Sequence, residues 1–371
     1  MELTLNRKNI IEALNGVVSI ASKNATMPIL ECVKFNVRAD GTVVVTAFDL
    51  EVSVMRKFRF ADSFETPFDF CINPRDLINI VKTLRDETIT LSLDDNNCVI
   101  KHAKGEVSLP VLPAIDYPEV GKDNNLAKLT VESSTLFEWL KNAVNFVATD
   151  KLRPIICGVY LYIEGVEFGV ASSDGLFLFT DNQRAEVDMP MSANGVIGTK
   201  AVSPLLDMLN NSHEVAVFFG EKMLSFRTAN SMLTCQKAVG MFPKFKSLIM
   251  DRDNTINVNI DKNELMDSVS RAIMTARVDT TLLRLKAEDG LFTVSSEDLM
   301  FSKRSIEECP CTLDGSPIEI GVKGSNFIKC LNAIESENVV MEFVDARKAI
   351  YLCDESAPNK RVVLMPLMLN V

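Results

Sequence analysis

Three aspartates stand at nearly the same point of a repeated pattern, and carboxylates at fixed positions are the first groups to test for acid–base chemistry. They fall in Val45-Thr46-Ala47-Phe48-Asp49-Leu50, Val170-Ala171-Ser172-Ser173-Asp174-Gly175 and Val294-Ser295-Ser296-Glu297-Asp298-Leu299, about 125 residues apart. General acid–base work needs a second catalytic group beside the first, and the repeat carries none common to all three copies. An aspartate at a strand end instead accepts hydrogen bonds from the backbone amides that follow, so Asp49, Asp174 and Asp298 read as turn residues. The histidines, His102 and His213, lie near strand ends without a ligand-like spacing. Cys309-Pro310-Cys311 is the one close cysteine pair, well short of the four ligands zinc usually takes. No G-x-S-x-G, H-E-x-x-H or Walker-type loop occurs. The expectation is a chain with no catalytic residue, metal or cofactor.

The elements that would place those aspartates repeat with them. Apolar residues at helical spacing mark Asn9–Ala21, Leu136–Ala148 and Leu265–Ala276. Hairpins follow at Cys32–Val37 with Thr42–Thr46, Gly158–Ile163 with Val166–Ala171, and Leu283–Ala287 with Leu291–Ser295. Shorter helices at Pro74–Leu84, Pro204–Leu209 and Ser325–Ile334 each precede a glutamate-led strand, and Ser325 reads as a helix N-cap. A repeat of this length is a whole domain. The chain therefore divides into 1–125, 126–253 and 254–371, each an α+β unit of two helices and antiparallel strands.

With 371 residues and 47% hydrophobic content, three conventional cores can be filled. No apolar run approaches the ~20 residues of a membrane helix. Met1-Glu2-Leu3-Thr4 does not read as a secretion signal, and nine scattered cysteines suit a reducing compartment, so the expected location is the cytoplasm with no membrane partner. A net charge of −11 argues against general nucleic-acid binding unless positive charge is segregated. The helices and their flanks do carry Arg7, Lys8, Arg75, Lys82, Arg85, Lys141, Arg271 and Lys329 off their apolar stripes. Acidic residues crowd turns and strands, so one face can be positive.

With these residues in place, the full length resembles the bacterial sliding clamp family, the beta subunits of DNA polymerase III holoenzyme. The resemblance is carried by Thr26-Met27-Pro28-Ile29-Leu30, Thr46-Ala47-Phe48-Asp49-Leu50-Glu51, Ser172-Ser173-Asp174-Gly175, Phe242-Pro243-Lys244-Phe245 and Val362-Val363-Leu364-Met365-Pro366-Leu367. It implies three tandem DNA-clamp domains that form a ring as a head-to-tail homodimer, with helices lining the hole. Val107 and Leu109 of one copy would meet Ile273 and Met274 of the other. Lys23, Asn24, Lys82, Arg85, Lys141, Arg271 and Lys329 would face double-stranded DNA, bound without regard to sequence.

The same resemblance implies a pocket for short apolar peptides, made of Ile156, Ser173, Gly175, Leu178, Pro243, Leu248, Val363, Leu364, Met365, Pro366 and Leu367. Its partners would be the polymerase III alpha subunit, the clamp loader complex, and other replication and repair proteins with clamp-binding peptides. Roughly half of the Val362–Leu367 side chains should instead fill a core. The chain departs from the family pattern at Leu176-Phe177, Ser247 and Met368, at Thr280, where an aromatic is frequent, and at Asn24, where an arginine is usual. The alternative is a clamp-like ring or scaffold adaptor that does not encircle DNA.

Overall fold

The computed structural model describes residues 2–21, 27–59, 67–94, 96–121, 123–150, 152–187, 191–249 and 256–369. They gather into two compact units, one of Met1–Glu138 with Glu186–Lys237, the other of Trp139–Ala185 with Ala238–Val371. The chain begins with β1 (Glu2–Asn6), α1 (Arg7–Asn15), β2 (Val33–Val37), β3 (Thr42–Phe48), β4 (Val52–Arg59), β5 (Phe68–Ile72) and α2 (Pro74–Thr83). It continues through β6 (Thr88–Leu93), β7 (Asn97–His102), β8 (Gly105–Leu112), β9 (Asn125–Glu132) and α3 (Ser133–Ala143). Next come β10 (Gly158–Gly165), β11 (Glu167–Ser173), β12 (Phe177–Arg184), β13 (Met191–Gly198), α4 (Thr199–Asn210), β14 (Glu214–Gly220), β15 (Met223–Arg227), β16 (Ser231–Gln236) and α5 (Lys246–Ile249). The last part holds β17 (Ile256–Asp261), α6 (Lys262–Thr275), β18 (Leu282–Glu288), β19 (Leu291–Asp298), β20 (Lys303–Asp314), β21 (Ile318–Lys323), α7 (Gly324–Asn332), β22 (Asn338–Phe343), β23 (Ile350–Cys353) and β24 (Arg361–Leu364).

In the first unit, antiparallel strands run in the order β1-β6-β7-β8-β5-β2-β3-β4-β16-β15-β14-β9. Alternation decides which face is buried: Val33, Phe35 and Val37 of β2 are core, while Lys34 and Asn36 between them are half-exposed. The Asn6 side chain caps α1 at the Lys8 amide, and Asn73 caps α2 at the amides of Arg75 and Asp76, with Pro74 as first helical residue. The Arg75 guanidinium donates to the Val18 and Ala21 carbonyls, tying the chain after α1 to α2.

Helix boundaries differ from the sequence reading. Helix α3 runs Ser133–Ala143 where Leu136–Ala148 was expected, because a 3-10 turn follows at Val144–Phe146. Helix α6 runs Lys262–Thr275 where Leu265–Ala276 was expected, because Asp261 caps it a turn earlier. The helix expected over Asn9–Ala21 stops at Asn15, because Gly16 ends it and the Arg56 guanidinium fills the space a Cβ would need there. The helix expected from Pro204 begins earlier, at Thr199, with the proline inside it. A proline six residues into a helix deletes one backbone bond, and packing of Ala201, Val202 and Leu205 outweighs that loss.

In the second unit the order is β10-β11-β12-β24-β23-β22-β17-β20-β19-β18-β21. Its core includes Trp139 against Phe168 at 5.5 Å and Phe146 against Phe177 at 5.0 Å. Asp261 caps α6 at the Glu264 amide, 2.9 Å. Ser325 is not the cap of α7. Lys323 holds that place, and Thr281 accepts from the Gly324 amide through its carbonyl (2.8 Å) and from the Ser325 amide through its hydroxyl (3.4 Å). A residue more than forty positions away in sequence supplies the acceptors, so local spacing pointed to the wrong one. Six cysteines are buried, and burial pushes the thiols of Cys71, Cys98 and Cys235 up to about 12. Among the described residues no helix is long and apolar enough to cross a membrane.

Candidate functional site: an apolar groove in the second unit

Each repeated aspartate closes its strand by accepting two backbone amides. Asp49 Oδ1 takes Glu51 (3.0 Å) and Val52 (2.8 Å), Asp174 Oδ1 takes Leu176 (2.7 Å) and Phe177 (3.0 Å), and Asp298 Oδ1 takes Met300 (3.0 Å) and Phe301 (3.4 Å). The turn reading therefore holds at all three. At Asp174 the turn is tightened further. Gly175, at φ +97°, donates its amide to Ser173 Oγ (3.0 Å), and that hydroxyl donates to the Phe177 carbonyl (2.7 Å).

The turn delivers β12 beside β24 in a fixed register: Phe177 faces Leu364, Leu178 faces Val363, and Val363 faces Tyr351 on β23. Because side chains alternate, Leu178, Val363 and Tyr351 share one face, and Phe177 and Leu364 share the other. The Met365 amide donates to the Leu176 carbonyl at 2.8 Å, which extends the first face by another apolar pair, Leu176 and Met365. Over it lies the segment leading into α5. Phe245 packs with Tyr162, Ala171, Leu178, Tyr351 and Val363, and Phe242, Ile249 and Tyr160 border that cluster. Phe242 stacks on Tyr160 at 4.6 Å, and the Tyr351 hydroxyl donates to the Leu248 carbonyl at 2.7 Å. Leu178 and Val363 are buried as a floor, whereas Leu176 (49%), Leu248 (53%) and Met365 (42%) stay exposed as a rim. Exposed apolar side chains grouped above a buried apolar floor form a surface suited to another apolar chain.

The expected pocket residues are thus partly gathered. Leu178 and Val363 meet in one cluster, Met365 and Leu248 are tied beside it through their backbones to Leu176 and Tyr351, and Ser173 and Gly175 lie in the adjoining turn. Leu364 is buried on the opposite face. Ile156 is buried in a short helical turn, where its carbonyl accepts the Ala148 amide at 2.8 Å. Pro243 is exposed and Pro366 half-exposed, and the Leu367 amide bonds to the Gly321 carbonyl at 2.8 Å. Val362, Val363 and Leu364 are buried while Met365, Pro366 and Leu367 are not, so half of the tail is core, as expected. Tyr351, Phe245, Tyr160, Tyr162 and Leu176 were not foreseen as lining. Counting back by two from Leu178 finds Leu176; Tyr351 requires the β23–β24 register, which sequence alone does not give.

The first unit repeats this junction with different chemistry. Strand β4 pairs with β16 and β16 with β15, so Ser53 faces Thr234 and Thr234 faces Ser225, where the second unit has Leu178, Val363 and Tyr351. The Gln236 amide donates to the Glu51 carbonyl at 2.9 Å, placing Glu51 and Gln236 where Leu176 and Met365 stand in the other. The same backbone therefore carries a polar row in one unit and an apolar row in the other.

The expected DNA-facing residues lie as follows. Lys82 and Arg85 are exposed at and after the end of α2, and Lys141 and Lys329 are exposed in the last turns of α3 and α7. Lys329 Nζ lies 5.5 Å over the Phe177 ring. Arg271 is exposed but committed to Glu307 (2.7 Å) and Ser268 Oγ (3.1 Å). Lys23 and Asn24 fall outside the described residues.

Of the expected seam residues, Val107 and Leu109 are half-buried on β8, whose Gly105–Pro110 stretch pairs with β7 and, among the described pairings, with no second strand. In the second unit, Lys303–Pro310 of β20 likewise pairs only with β19. Ile273 is half-buried, and a Cβ on Gly324 would lie within 2.7 Å of its side chain; Met274 is 75% exposed.

The chain was compared with known proteins. Family models for the DNA polymerase III beta subunit match in order: the N-terminal domain over residues 1–121, the central domain over 130–244 and the C-terminal domain over 247–368. Among curated relatives, the beta sliding clamp of Caulobacter vibrioides is 25% identical over 99% of this chain and its own full length. That of Escherichia coli K12 is 22% identical over the whole of both. Among solved structures, a Pseudomonas aeruginosa sliding clamp bound to griselimycin superposes with a TM-score of 0.94 at 21% identity, and a Bacillus subtilis clamp with 0.92 at 20%, each covering both chains completely. The α+β architecture of tandem clamp domains and the ordered full-length match agree: the chain belongs to the DNA polymerase III beta subunit family, the beta sliding clamps, which are non-catalytic processivity factors of DNA replication.

Proposed function

We propose that this chain is a DNA sliding clamp that encircles duplex DNA as a head-to-tail homodimer and tethers the replicative polymerase through the apolar groove of its second unit. In this reading residues 1–125, 126–253 and 254–371 are three clamp domains, and two copies close a ring of six. Retention then follows from topology, so weak, mobile phosphate contacts suffice and net acidity does not prevent function. Lys82, Arg85, Lys141 and Lys329 are the cations assigned to the duplex; Arg271, held by Glu307, is the weakest of the set. The seam joins the open edge of β8 in one copy to that of β20 and the α6 end in the other, with Val107, Leu109 and Met274 as its apolar contacts and Ile273 partly spent within its own subunit. The groove takes short, largely apolar peptides from the polymerase alpha subunit, the clamp loader and repair proteins. The carrying observation is the Leu176–Leu178 and Val363–Met365 row with its exposed rim, which has a polar counterpart in the first unit and so marks one groove per chain.

The test is retention. Loaded protein should stay on nicked circular DNA and be lost when the circle is cut. Equal retention on linear DNA, or none on circles, would favour a scaffold that does not encircle DNA. Deletion of Met365–Val371 should leave the dimer intact and abolish peptide binding; undiminished binding would remove the groove assignment.

A further inference from the structure

We propose that a second copy of this chain is recognised through one strand register, set by prolines and charge. In it, β8 of one copy and β20 of the other lie antiparallel, with Glu106 opposite Ile306, Ser108 opposite Arg304 and Lys104 beside Glu308. This rests on the head-to-tail reading above and names the residues that choose the partner.

Backbone direction sets the first limit. The Val111 amide donates to the Asn96 carbonyl, just before β7, and β7 pairs with β8 in an unbroken register. Successive residues of a strand bond to opposite edges, so Glu106, Ser108 and Pro110 turn their backbone groups to the open edge. The Cys311 amide likewise donates to the Gly290 carbonyl, just before β19, and β19 pairs with β20 in an unbroken register. That turns Arg304, Ile306, Glu308 and Pro310 outward. A ladder forms only where outward residues of one edge meet outward residues of the other. The same parity puts Val107 and Leu109 on the face of β20 that carries α6, where Glu307 holds Arg271 and Cys309 meets Ser268.

Only slips of two residues remain, and the side chains choose among them. With Glu106 opposite Arg304, Ser108 falls against Ser302 in the β19–β20 turn, and a single bonded pair is left. With Glu106 opposite Glu308, like charges face each other, and Pro110, which has no amide hydrogen, falls against Arg304. With Glu106 opposite Ile306, both bonded pairs form and both prolines lie outside the ladder. Exposed Lys104, in the β7–β8 turn, then meets exposed Glu308. An open strand edge is a template for another chain, and this pair of edges admits one match.

The experiment is oxidative cross-linking of the full-length protein. Residues bonded across an antiparallel pair have Cα atoms about 5.5 Å apart, within reach of a disulfide. Ser108→Cys combined with Arg304→Cys should give a covalent dimer well above the background of each single variant. Ser108→Cys combined with Ile306→Cys, one step away, should not. In sedimentation, Lys104→Glu or Glu308→Lys should each weaken pairing roughly tenfold by opposing like charges, and the two together should restore it. Cross-linking through Ile306→Cys instead, or no restoration by the double reversal, overturns the register and leaves the seam in place. A chain that cross-links through neither pair, or that stays monomeric without any substitution, removes the seam reading itself.

Discussion

Asp181 shows how one buried carboxylate sets pH behaviour in this protein. Burial pushes its pKa from 3.8 to about 6, against the opposing pull of the Asn182 amide, Lys360 and the Trp139 indole. A carboxyl whose folded pKa is raised binds its proton more readily when folded, so its ionisation erodes stability as pH rises from about 4 to about 6 and holds the full penalty above that. The shift corresponds to on the order of 3 kcal/mol. Asp181→Asn should therefore stabilise the second unit at pH 8 and give no gain near pH 4, read from urea unfolding through Trp139, the single tryptophan. Asp354 behaves oppositely. Burial would raise its pKa, but bonds from Ser356 and the Glu335 amide together with buried Lys360 hold it well below the usual carboxylate range, so its contribution is full above about 4 and is lost progressively as pH falls further. The turn aspartates were legible from sequence because their bonds are local, within three residues; Asp181 was not, since its burial depends on strands brought together from distant parts of the chain. Asp174→Ala should lower stability by about 1–3 kcal/mol by removing the one oxygen that accepts the Leu176 and Phe177 amides, measured in the same unfolding assay.

At the scale of elements, the strongest prediction concerns what holds α5 over the groove. Tyr351→Phe removes the hydroxyl that bonds the Leu248 carbonyl and leaves the ring packed against Val363 and Phe245. Peptide affinity should fall about fivefold, as for a hydrogen bond worth about 1 kcal/mol, with the unfolding midpoint nearly unchanged. The seam calls for a different residue from the one the helix pattern suggested. Ile273 is wedged against Gly324 within its own subunit, so a charge there disturbs α6 and α7 as well as any dimer contact. Met274, exposed beside it, is the cleaner probe. Met274→Asp should yield folded monomers in sedimentation at concentrations where the unaltered chain pairs, because an unpaired carboxylate in an apolar seam is costly. A persistent dimer would place the seam elsewhere.

For the molecule as a whole, sliding requires that no DNA contact be strong. Reversing Lys82, Arg85, Lys141 and Lys329 together to Glu should slow loading onto DNA and flatten its salt dependence while the dimer persists; unchanged loading would move the positive surface to other residues. The amino-acid sequence determined by itself the threefold repeat, the helix and hairpin order, the aspartate turns and the full-length family resemblance. All of these depend on residues close together in the chain or on a pattern that recurs along it. Tertiary structure alone decided that Leu176, Leu178, Val363, Met365 and Tyr351 share a face, that Leu364 does not, and that Thr281 rather than Ser325 satisfies the start of α7. It also decided that the matching junction of the first unit is polar. The physical reason is register: a strand presents alternate residues to opposite faces, so which side chains meet is fixed only when distant strands pair, and a slip of one residue would reverse the outcome.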